Sequence, residues 1–204
     1  MRPLDEALTR LGLPVPDSAL ARRARELIAD VAAPSLVNHS VRSYAWAVEL
    51  ARHDGLTFDP DILYAAAMLH DIGLVPTHDR GGGHDIDGAL AAERLSREVG
   101  ESDARARAIY DAIALHNRVA LPPGSASEVV LLWDSTGVDV TGERFGDLRP
   151  AIIPGVIAAY PRIDFKREFA ALLNDQATRK PTSVAAAMIA AGILEEIAQA
   201  PFES

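Results

Sequence analysis

The chain has 204 residues, 49% of them apolar and 24% charged, with a net charge of -9 and no cysteine. That length supports one sizeable hydrophobic core, and the acidic balance speaks against a nucleic-acid partner, whose phosphates require clustered Lys and Arg. Without cysteine there are no disulfides, thiolate nucleophiles or sulfur-bound zinc, so any metal would be held by nitrogen and oxygen.

The opening residues, "MRPLDEALTR", carry acids and lack the apolar core of a signal peptide. No stretch approaches the ~18 uninterrupted apolar residues of a membrane span. The expectation is a cytoplasmic protein with no membrane partner, in which the sequon at Asn38 stays unglycosylated. Asp17-Ser18 can cap a helix over 19–33, where Leu20, Leu27, Ile28 and Val31 share a face. Pro34-Ser35 opens a second helix that runs to Gly55, a residue suited to a C-cap. In "FDPDILYAAAMLHDIG", Asp59 reads as N-cap, Pro60 as the first helical residue and Gly73 as the stop. Residues 76–83, with three consecutive glycines, predict a mobile loop. Helices are expected over 85–99 and 102–117, and a Pro-Pro-Gly turn at 122–124 precedes "SASEVVLLWDSTGVDVTG". Three more helices follow, at about 147–159, 162–175 and 182–199. Nothing alternates at period two for long enough to build a sheet. The reading is an all-α, single-domain helical bundle, with residues 1–33 as a helical extension packed on a core of residues 34–204.

The six histidines can be weighed one by one. His39 lies inside its helix, with Arg42 and Ser43 one turn further along the same face. His70 and Asp71 fall in the last turn of the next long helix. His84 opens the helix after the glycine loop, and His116 closes "AIYDAIALH" behind the apolar face of Ile109, Ala112 and Ile113. His53 falls at a helix end and His78 in the polar loop. Taken singly, each is more commonly a surface or hydrogen-bonded core residue. Together, several imidazoles and carboxylates in an apolar bundle are costly unless paired or metal-bound, and imidazole with carboxylate suits zinc, iron or manganese.

The order His39, His70-Asp71 and a later Asp resembles the signature of the HD superfamily of metal-dependent phosphohydrolases and related enzymes. The segments "NHSVRSYAWA", "AAAMLHDIGL", "DGALAAERL", "AIALH", "GVDVTG" and "YPRIDFKREF" are similar to its cyanamide hydratase-like branch, over about residues 35–180. The resemblance implies an HD-type helical fold and makes His39, His70 and Asp71 metal ligands. It implies Asp139, in "DVTG", as the fourth ligand; Asp134, in "WDST", is the competitor, turned to another helix face by five residues. His116 would line the pocket as a second metal's ligand or as an acid/base group, and Asp71 could itself accept a proton. His84 with Gly88-Ala89 departs from that branch and fits the H-x-x-x-G-A pattern of HD proteins that hold two metals. One divalent ion is favoured, and two stay open.

Arg42 would contact substrate or orient a ligand carboxylate, with a plain salt bridge as the alternative. Asn38 and Ser43 are candidate hydrogen-bond partners for the ligands or the substrate. Lys166 and Arg167 read as surface or interhelix charges, Tyr44 and Trp46 as core, and Arg22, Arg23 and Arg25 as a solvated face. The alanine-rich C-terminal helix is suited to packing against a neighbour or a second subunit. The function expected is a metal-dependent hydrolase or hydratase acting on a small molecule, cyanamide-like by resemblance. The alternatives are a dinuclear phosphohydrolase acting on a nucleotide or phosphoester, a diiron oxygenase, and a non-enzymatic metal-binding helical module.

Overall fold

Capping chemistry places most helix starts where the sequence signals them. The structure, a computed structural model, describes residues 3–202, and among these the regular structure is α-helical with two short 3-10 turns and no strand. The helices are α1 (Pro3–Arg10), α2 (Ala19–Val31), α3 (Pro34–Asp54), α4 (Pro60–Leu69), α5 (His84–Glu98), α6 (Asp103–Leu115), α7 (Ser127–Thr141), α8 (Ile153–Ala159), α9 (Phe165–Arg179), α10 (Val184–Ala190) and α11 (Ile193–Gln199). Ser18 caps α2 by accepting from Ala21 N, and Asp59 caps α4 by accepting from Asp61 N and Ile62 N. Gly55 ends α3 in the left-handed conformation, as the C-cap position requires.

Helix α3 runs through the middle of the bundle and is buried on nearly every side. It packs along α7, while α5 pairs with α6 and α9 with α10. One large core cluster joins residues from α1 to α8, including Leu8, Ile28, Trp46, Leu63, Ile109 and Leu132. A smaller cluster of Leu36, Leu74, Val140, Phe165, Phe169 and Leu173 ties α9, α10 and α11 to the rest. The expected all-α bundle is what the chain forms, and the polar cluster sits where the two cores meet.

Four boundaries differ from the sequence reading, each for a local reason. Helix α4 stops at Leu69, so His70 is its C-cap and Asp71, at φ -105° and ψ 9°, leads into a 3-10 turn over Ile72–Leu74. Gly73 lies inside that turn and does not end the helix. Its role is close approach: a Cβ there would stand 2.2 Å from the carbonyl oxygen of His84 and 2.9 Å from the amide of Gly88. Gly88 answers from the other side, since its own Cβ would come within 3.1 Å of the His70 carbonyl oxygen. These two glycines let the His70-Asp71 segment press against the start of α5, which brings His84 to Asp71. The second difference is α8, which begins only at Ile153, after a 3-10 turn at Phe145–Asp147 and Pro150. Third, α9 starts at Phe165 because Ile163 and Asp164 are left-handed, at φ 52° and 58°. Fourth, the expected helix over 182–199 is two helices, broken at Gly192 with φ 99°. The glycine loop is also tied down: Asp87 accepts from Arg80 N and Gly82 N, and Asp79 from Gly81 N.

Gly73→Ala should therefore destabilise the protein by an amount at or above the upper end of the roughly 1–3 kcal/mol typical of overpacking. Urea denaturation measures it, and an unchanged midpoint would contradict the close approach described.

Candidate metal centre

Four imidazoles from four parts of the chain surround Asp71. His39 comes from the second turn of α3, His70 from the end of α4, His84 from the first residue of α5 and His116 from the end of α6. All are buried. The nearest imidazole nitrogens lie 3.2 Å (His70), 3.5 Å (His39), 3.6 Å (His116) and 3.8 Å (His84) from the Asp71 carboxylate. Neither oxygen of that carboxylate accepts a hydrogen bond of acceptable geometry.

The histidine tautomers follow from the other edge of each ring. His39 donates through Nδ1 to Asp139 Oδ2 at 2.7 Å, His70 to the Ala67 carbonyl at 2.9 Å, and His116 to the Ile113 carbonyl at 2.5 Å. Anchoring a proton at each Nδ1 turns each Nε2 inward with its lone pair. The Nε2 atoms of His39 and His70 face one another at 3.0 Å. Two lone pairs at that distance repel unless positive charge lies with them. Burial opposes charge on both members of the adjoining pair, yet Asp71 raises the pKa of His70. In return His70, with His116 and His39, holds the Asp71 carboxyl well below its ordinary value. A proton could serve one of these nitrogens; a divalent cation would serve several. His39, His70 and Asp71 can offer their ligand atoms to one ion, and Asp71, His84 and His116 form a second such group sharing the same carboxylate. The donors present fit a nitrogen- and oxygen-bound divalent ion.

Asp139 stands on the far side of His39. Besides accepting from His39, its carboxylate takes a two-pronged contact from Arg42 (Nε to Oδ1 2.8 Å, Nη2 to Oδ2 2.7 Å) and a hydrogen bond from Trp46 Nε1 at 2.9 Å. Arg162 adds a nitrogen 3.3 Å from Oδ1 and donates to the Asp139 backbone carbonyl at 3.1 Å. Asp139, which the family pattern implies as a fourth ligand, has both oxygens engaged by these partners. It fixes the ring of His39, and Phe165 stacks on that ring at 4.5 Å. Asp134 is remote from the cluster, paired with Arg144 at 2.6 Å.

Of the other candidates, Arg42 belongs to the Asp139 web and holds the Tyr160 carbonyl at 3.1 Å. Asn38 donates to the Pro161 carbonyl at 2.8 Å, bracing the chain before α9. Ser43 is buried without a hydrogen-bond partner for its hydroxyl, and touches none of the histidines through it. Lys166 bridges to the Ala198 and Ala200 carbonyls, an interhelix role. Arg25 is buried, unlike its exposed neighbours Arg22 and Arg23. Three roles carry no signal in the sequence: Trp46 reads as core alone, Arg162 lies within "YPRIDFKREF", and Asn117 simply follows His116. Asn117 donates through Nδ2 to His84 Nε2 at 2.9 Å and to His116 Nε2 at 2.7 Å. Burial pushes His84 down to about 4, so it accepts as a neutral ring near pH 7.

The cluster forms the floor of a cleft of about 820 Å3. Phe169, Val140, Val184 and Met188 give it apolar walls. Its charged lining beyond the floor is Asp85, Glu143 and Glu196 against a single Arg118. Among the described residues no helix is long and apolar enough to cross a membrane.

The HD domain family matches residues 36–137, half of the chain. Two similar proteins of Saccharomyces cerevisiae (strain ATCC 204508 / S288c) are cyanamide hydratase DDI2 and cyanamide hydratase DDI3. Each is 25% identical over 177 residues, covering 84% of this chain and 79% of the relative.

Removing the Asp139 carboxylate strands two buried guanidinium groups, so Asp139→Ala should cost about 3–5 kcal/mol. Asp134→Ala should cost less, because Arg144 keeps Asp54 and Asp147. Burial works against the Asp139 charge, but Arg42 and His39 outweigh it and hold that carboxyl well below its ordinary value. Its stabilisation is therefore present above the unfolded value of about 3.9 and is lost as pH falls toward the folded one. Acid unfolding followed by circular dichroism should show a shallower limb in Asp139→Asn than in the wild type.

Proposed function

Because the chain belongs to the HD domain family, whose members include metal-dependent hydrolases, we propose that it uses a divalent metal ion to add water to a small, uncharged electrophile, as a hydrolase or hydratase. The observation that carries this reading is the inward set of Nε2 lone pairs around a buried carboxylate that no N–H properly satisfies. His39, His70 and Asp71 are the residues that would hold the ion. When bound, zinc, iron or manganese would supply a Lewis acid that lowers the pKa of a coordinated water toward neutrality.

The protein's own groups do the rest. Asp139 holds His39 by its Nδ1 proton, so the ring can present only Nε2 to the ion. Arg42 and Trp46 keep the Asp139 carboxylate from rotating. Asp71 can take the proton of the attacking water at Oδ1, the oxygen that faces His84 and His116. His116, with Nδ1 fixed on Ile113, has Nε2 at the cleft floor and 3.6 Å from Asp71 Oδ1. On giving up its Asn117 hydrogen bond, it can take over the proton released by the attacking water and return it to the developing anion of the substrate. Val140, Phe169, Val184 and Met188 offer the body of the substrate an apolar surface.

The cleft lining supports an uncharged substrate over a phosphate ester. A phosphate entering it would meet Asp85, Glu143 and Glu196 with one arginine in compensation. A nitrile, the class of substrate named for the two yeast relatives, carries no such penalty. The second ligand group, Asp71, His84 and His116, is the observation that favours a different reading. With two ions the centre would suit a phosphohydrolase or an oxygen-activating diiron enzyme.

Cyanamide and a panel of nitriles, assayed beside nucleotides and phosphomonoesters, separate these readings. Hydration of a nitrile, abolished by chelation and restored by metal, is expected. Phosphate release or oxygen uptake with no hydration would transfer the assignment to the two-ion reading. His70→Ala and Asp71→Ala should lose both metal and activity. Asp139→Asn should weaken metal binding by roughly 10–100-fold, the usual effect of disturbing a ligand's support.

A further inference from the structure

We propose that Asn117 limits this centre to one metal ion, its side-chain amide standing where a second cation would bind. The inference rests on the metal-binding reading above and concerns stoichiometry alone. His84 and His116, with Asp71 between them, are arranged as a second ligand set. The Nε2 atoms of both rings point at the same atom, Asn117 Nδ2, at 2.9 and 2.7 Å. An amide nitrogen carries two hydrogens, and here each is directed at one imidazole lone pair. Those are the lone pairs a metal would need, at nitrogen–metal distances of about 2.0–2.1 Å. An ion and the amide cannot use them together.

The amide has the polarity of the ion it displaces. Its hydrogens carry partial positive charge and satisfy two buried acceptors that would otherwise be unpaired, at the acid-lined floor of the cleft. Among the described residues no equivalent group stands between His39 and His70, whose Nε2 atoms face one another at 3.0 Å. The two halves of the cluster thus differ: one has a built-in donor and the other lacks one. The difference comes from the chain path. Helix α6 ends at Leu115, and the turn closed by Arg118 N on the Leu115 carbonyl swings Asn117 back over His116 toward His84. Asn117 is only partly buried, so its side chain can be changed without opening a hole in the core.

Cobalt(II) titration of the metal-free full-length protein tests this, with visible absorption reporting each ion bound and elemental analysis after gel filtration giving the count. The wild type should saturate at one equivalent. Asn117→Ala and Asn117→Asp should each saturate at two, the first by vacating the space and the second by adding a carboxylate ligand. Combining Asn117→Ala with His84→Ala should return the count to one. Two ions in the wild type, or one ion in both Asn117 variants, would overturn the role of Asn117 while leaving a metal centre intact. No ion in any of the proteins would sink the metal-binding reading and this inference with it.

Discussion

The structure turns on a carboxylate surrounded by lone pairs. Asp71 is buried where no N–H hydrogen-bonds it well, and three rings with their Nδ1 protons committed elsewhere present Nε2 toward it. Such a place is costly in an apolar bundle unless positive charge enters it. The neighbouring residues are arranged around that demand. Asp139 fixes one ring, two helix-end carbonyls fix two others, and Arg42, Arg162 and Trp46 fix Asp139 in turn. Unsatisfied polar groups are costly in such a network, and Asp71 is its carboxylate with neither oxygen hydrogen-bonded, the place for an ion.

The backbone meets a matching constraint. Bringing the end of α4, the start of α5 and the end of α6 to one point requires chains closer than a side chain allows. Gly73 and Gly88 remove the obstructing Cβ atoms at the contact between the His70-Asp71 segment and α5. Apart from His39, the ligand-bearing residues sit at helix ends, where backbone groups are already free of the helical ladder. The carbonyls of Ala67 and Ile113 can therefore take imidazole protons at little cost.

Much of this was legible in the sequence because it depends on local patterns. Caps at Ser18 and Asp59, the Pro60 start and the Gly55 stop come from chemistry within a few residues, and so does the absence of a strand pattern. His39, His70-Asp71, His84 and His116 could be singled out because ionisable residues in apolar helices are rare. What stayed hidden is what depends on contact between distant segments. Gly73 looked like a helix stop because its neighbour across the contact, His84, is remote in the chain. Nothing local to Asp139 reveals that Arg42, Trp46 and Arg162 converge on it. Asn117 offers no signal beyond adjacency to His116, and its meaning appears only when His84 is opposite. The break at Gly192 was masked by the alanine-rich composition on both sides of it.

Nitrogen-15 NMR of the histidine side chains, recorded before and after one equivalent of zinc, tests most directly whether this cluster exists to hold a cation. The account predicts that Nδ1 of His39, His70 and His116 stays protonated throughout. It predicts that Nε2 of His39 and His70 shifts to a metal-bound position, while His84 keeps its amide-bonded one. Unchanged Nε2 resonances at saturating zinc would contradict it.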